Sequence, residues 1–170
     1  MIVAPLCPQY RFTVPVAHLN HVTTDHRTLL IDETAPPLTN PLPLPVLLSP
    51  PGNPVPLQGF GVVDDIVIGE GRLWASGVLD SRDHTAVRDW VGALRLGAAA
   101  FALNLDETDG HTINAGDRHI RVLTHWRLTG LTVRIGPPTW TTVTDDIDIT
   151  HMTSEERRTW RPKPYDREHS

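Results

Sequence analysis

Apolar residues in this chain recur mainly with the two-residue period of a β-strand, and this pattern restricts its fold more than any other feature. Residues 10–16 alternate apolar and polar side chains and predict a first strand. Residues 57–68 and 72–79 are rich in β-formers and flank Gly69-Glu70-Gly71, which is typical of a hairpin turn. Further strands are predicted over residues 28–31, 42–48, 98–106, 119–128 and 131–135, the last two joined by a Thr129-Gly130 turn.

A single stretch has the helical period. Its apolar residues Ala86, Trp90, Val91 and Leu94 fall on one face of a helix predicted over residues 83–96. Ser81 or Asp83 can cap the start of this helix, and Gly97 suits its end. The fold class is therefore mainly β (α+β), with at least one helix packed on the strands.

Prolines and polar residues mark the segments outside these elements. Prolines are dense over residues 36–56, and proline lacks the amide donor of a sheet, so an edge strand and loops are predicted there. Residues 107–116 are polar and predict a loop, and residues 137–140 are expected to close the core. The chain then divides into one domain over 1–142 and a charged tail over 143–170, either mobile or docked on a partner.

Composition excludes several classes of function. The net charge of -5 argues against a nucleic-acid-binding surface, which is usually basic. One cysteine, Cys7, rules out an internal disulfide and a cysteine-based zinc site, and it fits a reducing cytoplasm. No apolar run is long enough to span a bilayer, and the first residues do not have the pattern of a signal peptide, so no membrane partner is expected.

Asn104 is the polar residue whose position most concerns function. It lies between Leu103 and Leu105 in an apolar strand, and because strand side chains alternate, it points away from the face that carries the two leucines. A hydrolase built on strands would place its nucleophile at such a position. Asn104 is also compatible with a plain structural role, as a core amide bonded to backbone or as an outward polar residue.

The order of several short motifs resembles the capsid maturation (prohead) proteases of tailed phages with HK97-like capsids. The resemblance covers about residues 25–140. Each motif is short, and their order and spacing carry the match. The motifs are Asp25-His26-Arg27-Thr28-Leu29, Leu42-Pro43-Leu44-Pro45, Gly52-Asn53, residues 59–66 and 73–80, Leu103-Asn104-Leu105-Asp106, Gly130-Leu131-Thr132-Val133 and Pro137-Pro138-Thr139-Trp140.

The resemblance implies a herpesvirus-protease-like β-barrel with flanking helices, and a protein that trims scaffold and capsid proteins inside the prohead. Such a protein acts in the host cytoplasm during assembly and is found in the procapsid or virion. The family uses a serine on the strand that matches Leu103–Asp106 and a histidine in the loop that matches Gly52-Asn53. Here Asn104 takes the place of the serine, and Asn53 is the nearest match to the histidine.

These two departures predict a degenerate serine-protease site. A serine hydrolase needs a hydroxyl that a neighbouring base deprotonates, whereas an amide is neither a nucleophile nor a base near neutral pH. Two facing amides could instead hydrogen-bond each other. None of the five serines has a buried-strand context, and the hydroxyl of Thr132 is ordinary in a strand. The serines are Ser49, Ser76, Ser81, Ser154 and Ser170.

The histidines do not match a known metal motif. His18, His21 and His26 lie near Asp25 in a loop-like segment and are interpreted as solvated. His111, His119 and His125 could approach one another, and they are interpreted as residues on a strand surface. We therefore expect no metal and no cofactor.

The tryptophans are predicted to lie in the core, except Trp160 in the tail. Trp160 is flanked by Arg157, Arg158 and Arg161, and an aromatic residue among arginines is typical of a protein-docking segment. The expected partner is a major capsid or scaffold protein, with self-association as a further possibility.

Three hypotheses follow from the sequence. The first is a phage head-assembly protein with a degenerate protease site and a structural role. The second is a working maturation endopeptidase whose catalytic residues lie elsewhere, and the third is an unrelated small β-barrel binding module.

Overall fold

The computed structural model describes residues 7–19, 29–31, 38–39, 42–49, 58–80, 84–135, 142–143 and 146–161. These residues form a mainly β fold with two helices. The elements are β1 (Tyr10–His18), β2 (Leu29–Ile31), β3 (Leu38–Thr39), β4 (Leu44–Ser49), β5 (Gln58–Gly69), β6 (Arg72–Leu79), α1 (His84–Arg95), β7 (Ala100–Ala115), β8 (Arg118–Arg134), β9 (Thr142–Val143), β10 (Asp148–His151) and α2 (Ser154–Thr159).

The described strands join in one mixed sheet. Its order is β10-β1-β6-β5-β4-β8-β7-β9, and β2 and β3 pair with β8 next to β4. Strands β2, β3 and β4 run parallel to β8, and the other pairs are antiparallel. The sheet is not closed into a barrel, but it curls until β1, near one end, contacts β7 and β9 at the other.

The core lies inside this curl. The rings of Phe12 on β1 and Phe101 on β7 stack across it with centroids 5.2 Å apart, and both residues are fully buried. Helix α1 adds its apolar stripe, Val87, Val91 and Leu94, to the same core. Other large core side chains are Leu44, Val46, Phe60, Leu73, Leu79, Leu123, Trp126, Leu128 and Leu131.

Helix α1 also covers one end of the sheet. The guanidinium of Arg95 donates to the carbonyl of Ile149 on β10 at 2.9 Å and lies 5.9 Å from the ring centroid of Tyr10. The helix stops at Gly97, whose φ of +76° suits glycine. The predicted helix over 83–96 is thus confirmed to within a residue at each end, while its capping residues Ser81 and Asp83 lie outside the described residues.

The predicted hairpin is also confirmed. Strands β5 and β6 are joined by a two-residue turn, Glu70-Gly71, in which both residues have positive φ, as a tight hairpin requires. The glycines in these strands have a different role, because the strands twist sharply at a bulge. A Cβ on Gly77 would lie 1.9 Å from the carbonyl oxygen of Val62, so only glycine fits there.

Two sequence predictions in the second half of the chain are wrong. The polar segment 107–116 is a strand, because β7 continues to Ala115 and pairs with β8 along its whole length. Residues 111–114 are exposed on both faces, so no buried face imposes alternation there, and the polar residues were interpreted as a loop. The predicted Thr129-Gly130 turn is a bulge inside the single strand β8. Glycine is needed at 130 because a Cβ there would lie 2.6 Å from the Pro45 carbonyl oxygen of β4.

The described part of the segment 143–170, which was predicted as a tail, pairs with and packs on the sheet. Strand β10 pairs with β1, and Met152 behind it is buried. Helix α2 begins with a capping box, in which the Thr153 hydroxyl accepts from the Glu156 amide and the Glu156 carboxylate accepts from the Thr153 amide. The first part of the predicted tail is therefore folded onto the sheet. Residues 137–140, predicted to close the core, lie outside the described residues.

Candidate functional site

Asn104 lies on the convex face of the curled sheet, opposite the core, here called the outer face. Its neighbours Leu103 and Leu105 belong to the core or pack against it, as the alternation of a strand requires. Asn104 is half-buried and stands opposite Gly130 of β8. The predicted orientation of Asn104, away from the leucines, agrees with this arrangement.

The carboxamide of Asn104 is held by one hydroxyl. Thr132 Oγ1 accepts from Asn104 Nδ2 at 2.9 Å and donates to Asn104 Oδ1 at 3.1 Å. The neighbouring Thr129 hydroxyl donates to the Asn104 carbonyl at 3.1 Å. Thr132 is 7% exposed, so the pair is shielded from solvent on the side of the threonine. Both ends of the amide and both roles of the Thr132 hydroxyl are thereby occupied.

No imidazole whose side chain the structure describes forms a hydrogen bond with this pair. His111 and His119 are at the outer end of the β7–β8 hairpin, opposite Val122 and Asn114, and by strand parity they fall on opposite faces. His151 stacks on Tyr10 with ring centroids 4.8 Å apart. Asn53, the predicted counterpart of the histidine, lies outside the described residues, as do His21 and His26.

A second group of residues lies on the same face of the sheet. Trp160, just after α2, packs against Val62, Val78 and Met152. Its indole Nε1 donates to the carboxylate of Asp64, which is 7% exposed, at 3.1 Å. We call this group the outer-face cluster. It anchors the C-terminal segment, which the sequence placed in a mobile or partner-docked tail.

Sheet register places Asn104 and Val62 of the outer-face cluster on the same face, in one row that crosses four strands. Gly130, opposite Asn104, lies against Pro45 of β4, and Pro45 pairs with Val62 of β5. Three strand steps of about 4.8 Å therefore separate Asn104 from Val62, or about 14 Å. The sequence did not indicate that residues so far apart in the chain share one face. The capping pattern Thr153-x-x-Glu156 was the one available signal that the C-terminal segment contains a helix.

The arginines beside Trp160 are exposed. Arg157 donates to the Ser154 hydroxyl at 3.4 Å, and Arg161 donates to the carbonyls of Arg158 and Trp160 at the end of α2. A guanidinium at the end of a helix satisfies carbonyls that have no partner within the helix. Glu156 also lies 3.7 Å from Arg11 of β1, but both side chains are 44% exposed, so this ion pair adds little stability.

Metal-binding clusters and membrane-spanning helices are absent from the described residues. Across these ranges, no three histidine, cysteine, aspartate or glutamate side chains group in a way that could hold a metal ion. Neither described helix is long and apolar enough to cross a membrane. A scan against protein-family models, a search of curated proteins and a search of solved structures each gave no significant match.

Replacement of Trp160 by alanine is expected to lower the free energy of unfolding by about 2 kcal/mol, since a half-buried indole loses its packing and Asp64 loses a donor. Trp160→Phe keeps most of the packing and should lower the free energy of unfolding by about 1 kcal/mol. Urea unfolding followed by circular dichroism measures both values. Arg158→Ala, at an exposed position on the same helix, is the control and should change stability by less than about 0.5 kcal/mol. A Trp160→Ala variant as stable as the parent would show that the C-terminal segment does not pack on the outer face.

Proposed function

We propose that this protein is a head-assembly protein of a tailed phage, similar to the prohead proteases but without hydrolytic activity. Its role is structural: it binds the major capsid protein or a scaffold protein. The observation that carries the proposal is the Asn104 carboxamide, which is closed onto the Thr132 hydroxyl on the strand where the resemblance expects a serine.

The chemistry of this pair supports the loss of hydrolysis. Acyl transfer needs a hydroxyl or thiol whose proton passes to a base within hydrogen-bond reach. The amide nitrogen of Asn104 is delocalised into its carbonyl and cannot form an acyl intermediate. Thr132 has a hydroxyl, but its hydrogen-bond partner is an amide that cannot take its proton near neutral pH. A polar pair without an activated nucleophile or a base stabilises the strands that it joins and has no catalytic role.

The curl of the sheet supports the proposal that the fold is related to the herpesvirus-protease-like barrel. The approach of β1 to β7 and β9 brings the two ends of the sheet together around one core, and α1 packs on that core from outside the sheet. A barrel with a flanking helix has the same arrangement of layers. Fold alone does not give function, so the proposal depends on the Asn104 pair.

The outer face supports a binding role. The C-terminal segment of the chain is anchored on this face by Trp160. The side chains of Arg157 and Arg158 remain exposed on α2, just before this anchor. Arginine is enriched at protein–protein interfaces and suits an acidic partner surface. In this proposal the protein acts in the host cytoplasm during assembly and belongs to the procapsid or virion. It requires no metal, cofactor, nucleic acid or membrane.

Co-expression with the major capsid protein encoded beside it tests the proposal. The expected result is co-purification of the two proteins, with intact mass spectrometry showing a capsid protein of full length. The Arg157→Glu, Arg158→Glu double variant tests the contact surface. It should weaken co-purification without changing the mass of the capsid protein. The genes on either side are expected to encode a portal protein and a scaffold or capsid protein.

Two results would contradict the proposal in different ways. Cleavage of the capsid or scaffold protein that disappears on substitution of one hydroxyl residue would show a working endopeptidase. Absence of both cleavage and co-purification, together with neighbouring genes of unrelated kind, would favour the unrelated binding module.

A further inference from the structure

The outer end of the β7–β8 hairpin, residues 111–120, is a two-stranded ribbon that we call the arm. Strand β2 pairs with β8 at residues 121–123, and no strand in the described ranges pairs with the arm beyond that point. Thr112, Ile113 and Asn114 are exposed, with Ile113 at 44%. A ribbon of two strands is marginally stable in water, and a third strand is what usually stabilises it.

Among the residues that the structure describes, the outer edge of β7 in the arm has none of the usual protections of an edge strand. Natural edges are protected by lysine, proline, inward charges or a covering element. The other end of the sheet is protected in this way, because Arg95 of α1 donates to the Ile149 carbonyl of β10. The edge of β8 in the arm contains Arg118. The five residues His111-Thr112-Ile113-Asn114-Ala115 contain no lysine, arginine, carboxylate or proline.

We propose that two copies of this chain pair through these five residues, edge to edge and antiparallel, about a twofold axis at Ile113. This inference is independent of the proposed assembly role. Antiparallel pairing of identical strands is self-complementary, as a twofold dimer requires. Ile113 then stands opposite Ile113 of the second copy, and Thr112 stands opposite Asn114 of that copy. Pairing makes the two sheets one continuous sheet and gives each arm a third strand.

Charge favours a second copy at this position although the protein is acidic as a whole. The five residues are neutral when His111 is neutral, so two copies meet without repulsion there. The residues before them are acidic: Asp106, Glu107 and Asp109. A longer overlap centred on Thr108 would set Glu107 opposite Asp109 of the second copy, so charge limits the overlap to the end of the arm.

The size of the contact sets its strength. Five paired residues on each side bury less than the roughly 1,200 Å² of a standard interface, so the dimer should be weak, with a dissociation constant on the order of 100 μM. Such an association is governed by local concentration, and linked or crowded copies would pair while dilute copies would not.

Sedimentation velocity over about 10 μM to about 1 mM tests the association. The weight-average mass of the parent protein is expected to rise towards that of a dimer, and Ile113→Lys should abolish the rise, because two lysines would face each other at the axis. Val67→Lys, at a strand position that is 54% exposed on the β5–β6 hairpin, is the matched control and should dimerise like the parent. Unfolding midpoints within a few degrees of the parent value show that both variants are folded.

Disulfide trapping tests the register. In a Cys7→Ser background, which removes the only cysteine, Ile113→Cys should form a covalent dimer under mild oxidation and Val67→Cys should not. A parent protein that stays monomeric at about 1 mM overturns the proposal. Equal cross-linking of the two cysteine variants, or an Ile113→Lys protein that still dimerises, also overturns it.

Discussion

Replacement of Gly77 by alanine is expected to destabilise the protein by at least about 3 kcal/mol, at the upper end of overpacking effects and a large part of the stability of a domain this size. The added Cβ would lie 1.9 Å from the Val62 carbonyl oxygen and 2.9 Å from the Val63 Cα. Both obstacles are backbone atoms of the paired strand β5, so no rotamer change relieves the overlap. Relief requires the β5 and β6 backbones to separate next to the bulge.

Gly59→Ala is the matched control for this prediction. Gly59 lies in β5, the partner strand of the one that contains Gly77, but nothing lies within 4 Å of a Cβ placed there, so the alanine variant should match or slightly exceed the parent in stability. Urea unfolding of the three proteins measures the difference. A Gly77→Ala protein within about 1 kcal/mol of the parent would show that β5 and β6 are not as close as the structure places them.

Replacement of Phe101 by alanine should cost about 4 kcal/mol. Phe101 is fully buried, and its ring stacks on Phe12, so its loss opens a cavity where the two ends of the sheet approach. Among the described strands, backbone hydrogen bonds do not close the sheet at this place, and the ring contact is part of what holds the curl.

Two further variants separate this effect from ordinary loss of apolar area. Phe101→Leu keeps most of the volume and should cost less than about 1.5 kcal/mol. Leu96→Ala removes an apolar side chain that is 86% exposed and should change stability by less than about 0.5 kcal/mol. Calorimetric unfolding gives all three values. If Phe101→Ala and Phe101→Leu lowered the free energy of unfolding equally, this result would contradict close packing between Phe101 and Phe12.

The sequence predicted the parts of the fold that have a periodic buried face. Helix α1 and the β5–β6 hairpin were predicted to within about a residue, because their apolar residues repeat at 3.6 and 2 and their ends are marked by glycine. The outer half of β7 was missed because residues 111–114 are exposed on both faces, and the composition of the segment then resembles that of a loop. The bulge at Thr129-Gly130 was interpreted as a turn because the sequence does not reveal the approach of Pro45 that requires the glycine.

The candidate site was predictable in one respect only. Alternation alone places Asn104 opposite the leucines that point to the core. Its partner Thr132 is 28 residues away, and the sequence cannot supply the register that joins them. The outer-face cluster brings Trp160 to Asp64, 96 residues apart, and such long-range contacts do not follow from local patterns.

The position of β1 has a consequence for synthesis. Of the described strands, β1 is synthesised first, yet its neighbours are β6 and β10, and β10 comes more than 130 residues later. Pairing between strands so far apart in sequence slows folding. The entropy cost of closing the long loop comes before the stabilising contacts between the strands have formed. One edge of β1 therefore has no native partner strand until β10 has been synthesised.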